Sequence, residues 1–174
     1  MQTYLRIRPH RNLMQTALYH LENINQKVSS GNEKGILLDG LSCLVLLGFS
    51  SEALINFIGQ EKISDWKERD PFLQKAKNVC NAANLTFDRS TEPFKTIWNL
   101  KTIRDEIAHG KPKDSQMSTG DVGDIRAALN PWKTFCESDY LTKANDQLMD
   151  FQNKLYQGCN ITQDSEGATT VGTL

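Results

Sequence analysis

A chain of 174 residues with 39% hydrophobic and 8% aromatic side chains has the length of one domain with a sizeable core. Its formal net charge of -1 excludes a protein that coats nucleic acid through a uniformly basic surface, leaving room only for a local basic patch. Cys43, Cys80, Cys136 and Cys159 form no C-x-x-C pair, which excludes the usual spacing of a zinc cluster or redox dithiol. They read as small buried hydrophobes in a reducing compartment.

The N-terminal residues carry no apolar stretch of signal-peptide length, so a cytoplasmic protein is expected. Arg6, Arg8, His10 and Arg11 read as a solvated lead-in to the first helix. From Pro9 to about Val28, Leu13, Met14, Ala17, Leu18, Leu21, Ile24 and Val28 recur at three- and four-residue steps, which predicts an amphipathic helix. Ser29-Ser30-Gly31-Asn32 supplies a turn. A second helix starts near Lys34 or Gly35, and its apolar residues cover most of its circumference, so other helices must surround it. Gly35 to Gly59 is apolar enough to suggest a membrane span, but Asp39, Glu52 and Asn56 within it favour a core helix and no membrane.

Asp70-Pro71 predicts the start of a helix that presents Phe72, Leu73, Ala76, Val79, Cys80 and Ala83 on one face. Thr91-Glu92-Pro93 opens another, which carries Phe94, Ile97, Leu100, Ile103 and Ile107 inward and stops at Gly110 and Pro112. Lys111 to Asp121 reads as a polar loop. A last helical region from about Val122 to Tyr156 should break or kink at Asn130-Pro131. Residues 1–157 thus form one all-α domain, an antiparallel bundle of four to five helices, with residues 158–174 as a flexible tail. Trp66, Trp98 and Trp132 are dispersed and read as core or interface anchors.

One place gathers cationic and titratable groups around a helix end: Lys101, Arg104, His109, Lys111 and Lys113, with Asp105 and Glu106 among them. Arginine offers a planar fork suited to phosphate, and histidine exchanges a proton near neutral pH. Five residues along a helix amount to about 140° of rotation and ~7.5 Å of rise, so Arg104 and His109 leave the helix on different faces. A cleft shared with a second protomer brings such groups together more easily than one protomer alone.

Arg104, four intervening residues, His109 and then Gly110, closing a helix in an all-helical chain of this length, resembles the HEPN superfamily. Asp105 stands where that family most often has asparagine. The segment Ser51 to Ile58 resembles the family's preceding core helix, in which polar residues, here Glu52 and Asn56, face the motif. The resemblance implies a homodimer or heterodimer with facing motifs, a homodimer being the first expectation, and a metal-independent endoribonuclease that needs no cofactor. Arg104 and His109 would be catalytic, Asp105, Glu52 and Asn56 supporting, and Lys101, Lys111 and Lys113 would hold single-stranded RNA. It also implies a role in phage defence, a toxin system or RNA processing, with an antitoxin or a nucleotidyltransferase as partner. The alternative within the same family is a non-catalytic module for binding or dimerisation.

Overall fold

The computed structural model describes residues 5–111, 131–162 and 168–170, and within them the chain is all-α apart from one short ribbon. Strand β1 (Leu5–Ile7) pairs antiparallel with β2 (Ala168–Thr170), Leu5 opposite Thr170. The sequence reading contained no strand, because three residues are too few to show alternation. Within the segment expected to be a tail, β2 is therefore paired. The preceding helix also runs through Gly158 and is followed by a buried Cys159.

Helix α1 (Pro9–Ser29) begins on its proline, where a missing N–H leaves nothing unpaired. Helix α2 (Ile36–Lys62) is the central element and touches every other helix as well as the short 3-10 turn Lys133–Cys136. Leu44, Leu47, Leu54, Ile55 and Ile58 are buried at or below 1% exposure, which explains why its apolar residues surround it. Among the described residues α2 is the one helix long and apolar enough to cross a membrane, and 50% of its most apolar stretch is buried against its neighbours.

Helix α3 (Phe72–Ala82) and helix α4 (Phe94–Ala108) start one residue after the prolines that announce them. At the head of α4, Glu92 Oε2 accepts the Thr96 N–H at 3.1 Å, satisfying one of the first-turn donors. The last helix, α5 (Ser138–Gly158), follows the turn at Pro131 and Trp132. The expected polar loop beyond Lys111 and the start of the last helical region at Val122 lie outside the described residues.

Two lead-in residues depart from the sequence reading. Arg8 and His10 are buried, at 5% and 1% exposure, and are not solvated. Arg8 lies 5.3 Å from the centre of the Phe57 ring and donates to the Thr162 carbonyl at 3.4 Å. His10 sits between Phe57 and Tyr156, its Nε2 2.9 Å from the Tyr156 hydroxyl. A short polar stretch next to an aromatic cluster folds inward when the aromatics offer flat faces and a hydroxyl partner. Periodicity does not report such packing.

Candidate functional site

Gly48, Glu52 and Asn56 recur at four-residue steps and form one stripe of α2. The stripe meets α4 at Gly48, where a Cβ would fall 2.9 Å from Arg104 Cβ and 3.1 Å from the Leu100 carbonyl oxygen. This close approach lays the Arg104 side chain across α2, toward Glu52. Arg104 is 9% exposed, and its guanidinium lies 5.0 Å from the centre of the half-exposed Phe49 ring.

Two carboxylates fix the guanidinium. Arg104 Nη1 donates to Glu52 Oε2. Arg104 Nε and Nη2 both donate to Asp105 Oδ1, at 3.0 and 2.6 Å. A guanidinium has five N–H donors, and these bonds use three of them. Among the described residues one hydrogen on each terminal nitrogen stays without an acceptor.

The pair belongs to a longer chain of charges. Lys75, 3% exposed on α3, donates to Glu52 Oε1 at 2.8 Å and to Asn56 Oδ1 at 3.0 Å. At the other end Lys101 Nζ holds Asp105 Oδ2 at 2.8 Å. Lys75, Glu52, Arg104, Asp105 and Lys101 therefore alternate in sign and begin and end on a cation, so the array keeps an excess of positive charge. Partial burial opposes ionisation of Glu52, but the hydrogen bonds and charges of Lys75 and Arg104 outweigh it and hold its carboxyl below the usual range. Burial likewise works against the ionised Asp105 and the charged Arg104. Lys101 and Arg104 keep Asp105 below its usual range, while Glu52 and Asp105 raise Arg104 above its own.

His109 follows the last turn of α4, its N–H bonded to the Asp105 carbonyl at 2.9 Å. Its ring is exposed and makes no hydrogen bond or ring contact among the described residues. Gly110 follows, where a Cβ would lie 2.9 Å from the Glu106 carbonyl, so the chain leaves the helix too tightly for a larger residue. Of the residues chosen from sequence, Arg104, Asp105, Glu52, Asn56 and Lys101 come together in one network. His109 and Lys111 sit exposed beyond the helix end without joining it, and Lys113 lies outside the described residues. Sequence reading missed Lys75 and Phe49. Lys75 falls within the apolar stripe of α3 between Phe72 and Val79, and a lysine at such a position is a recognisable sign of a buried partner.

No family model, curated protein or solved structure matches this chain. Its four cysteines are free and buried, and burial pushes the Cys43 and Cys80 thiols up to about 12, so neither has the character of a nucleophile.

Proposed function

We propose that the chain is a HEPN-like, metal-independent endoribonuclease that acts as a dimer of helical bundles on single-stranded RNA. The observation that carries this reading is an arginine fork held rigidly by Glu52 and Asp105, with two N–H groups still open, close along the chain to an exposed histidine free of partners among the described residues. A preorganised fork of this kind stabilises charge that grows on phosphoryl oxygens. In the reaction the ribose 2′-hydroxyl attacks the adjacent phosphorus, the bond to the 5′-oxygen breaks, and a 2′,3′-cyclic phosphate remains. His109 takes the proton from the attacking hydroxyl or supplies one to the leaving oxygen. Arg104 faces the non-bridging oxygens, and Lys101 and Lys111 attract the flanking phosphates. DNA, which lacks the hydroxyl, is not a substrate.

The test is incubation of the purified protein with single-stranded RNA in excess EDTA, followed by analysis of the product ends. Wild type should leave cyclic phosphates, and Arg104→Ala and His109→Ala should each reduce the rate by two orders of magnitude or more. Wild type without cleavage, or variants that cleave as fast as wild type, would refute the enzyme reading.

A second reading is favoured by the two carboxylates on Arg104, which neutralise it and suit a structural ion pair in a non-catalytic binding or dimerisation module. That reading expects Arg104→Ala to lower stability without any catalytic loss to measure.

A further inference from the structure

Trp98, Lys101, Asp105 and His109 lie three and four residues apart, so they line one face of α4 and its continuation over roughly 16 Å. At the Trp98 end this face opens into a groove of about 710 Å³ between α3 and the connection that precedes α4, lined by Lys77, Phe87, Arg89 and Trp98 among others. Arg89 is exposed and lies 4.7 Å from the centre of the half-buried Trp98 ring, and Lys101 Nζ lies 5.4 Å from it. Neither Arg89 nor the exposed Lys77 has a carboxylate partner among the described residues. Asp88, the groove's one acid among the described residues, is turned back on its own chain and accepts from the Ser90 N–H at 2.9 Å and hydroxyl at 2.7 Å.

We infer that this groove is a binding subsite for single-stranded RNA, with a base stacked on the outer face of the Arg89 guanidinium that Trp98 supports, and a phosphate on Lys77. The inference rests on the ribonuclease reading for its polarity, since it leads the strand along α4 toward Arg104 and His109. A guanidinium stacked on an indole, beside cations with no carboxylate partner among the described residues, suits a flexible strand with splayed bases. An acidic peptide would satisfy the cations but leave the planar guanidinium face unused. Lys101 joins the two regions, near the indole on one side and bonded to Asp105 on the other. The sequence alone favoured Trp98 as a packing anchor; its contact with Phe72 does anchor one side of the ring, at 6.4 Å between centroids.

The experiment measures binding of the full chain to a fluorescent 2′-O-methyl oligouridylate, which cannot be cleaved because its 2′-oxygen carries no proton. Wild type should bind with a marked salt dependence. Lys77→Glu and Arg89→Glu should each weaken binding and flatten that dependence, and Trp98→Leu should weaken it about tenfold. The two charge variants change exposed side chains, so they decide the matter even if Trp98→Leu fails to fold. No binding by wild type, or equal binding by wild type and both charge variants, overturns the subsite. A protein that binds through these residues yet never cleaves RNA retires the nuclease reading and leaves the subsite in place.

Discussion

His10 shows what a buried titratable residue does to stability. Burial first, and then the charges of Arg11 and Arg8, push its imidazole down to about 4 from an ordinary 6.5. Its Nε2 meets the Tyr156 hydroxyl, and its Nδ1 has no hydrogen-bond partner among the described residues. Between those two values the unfolded chain binds a proton that the folded chain does not, so stability is complete above pH 6.5 and falls as the pH drops toward 4. The full shift corresponds to about 3 kcal/mol. Urea denaturation at pH 7 and pH 5 should show the slope in wild type and its loss in His10→Phe; equal slopes would mean that the ring is accessible to protons in the folded state. Glu52 and Asp105 act in a lower window, because their folded values lie below the ordinary carboxylate range and their contribution is lost only on further acidification. At this scale the sequence was legible where type and place agreed: Arg104, Asp105, Glu52 and Asn56 were chosen together and do meet. Lys75 is legible only from its place inside the apolar stripe of α3, because its type alone points to the surface, and the burial of His10 depends on aromatics far along the chain.

At the scale of elements, hydrophobic periodicity announced the five helices described, and proline and glycine marked their ends to within a few residues. What periodicity does not carry is which helices touch and how closely. The α2–α4 contact illustrates the gap, since it depends on Gly48, which the apolar pattern treats as a neutral position. In an open helix Gly→Ala would stabilise by roughly 1 kcal/mol. Here the new Cβ would press on Arg104 Cβ and the Leu100 carbonyl, and backbone cannot move aside as a flexible side chain does. Gly48→Ala should therefore destabilise by about 1–3 kcal/mol and shift the guanidinium away from Glu52. Thermal melting reads the first effect. A rise in melting temperature would show that α2 and α4 are free to separate, and that Arg104 is not positioned by their contact.

The whole molecule poses the question of how Arg104 and His109 meet. Arg104 points into the α2–α4 contact while His109 is exposed past the helix end, so within one protomer no contact joins them among the described residues. Leu38, Leu41, Val45, Phe49 and Glu52 follow one another at three- and four-residue steps along α2. Leu38 and Phe49 are 71% and 42% exposed. An apolar stripe that ends at the Glu52–Arg104 pair is suited to a second copy, as the proposed dimer requires. Shared sites make a specific prediction for mixed dimers. Under the ribonuclease reading Arg104→Ala and His109→Ala should each be inactive alone, but a dimer with one of each would hold one site with both an intact arginine and an intact histidine. Each mixed dimer has one whole site of two, so the purified mixed species should show about half of the wild-type activity. Co-expression with two tags, purification of the mixed species and the EDTA cleavage assay would measure it. Activity that does not return places both groups in one protomer. A monomer in sedimentation at high concentration removes the shared site altogether, and Phe49→Glu should produce that monomer if the α2 stripe is the interface.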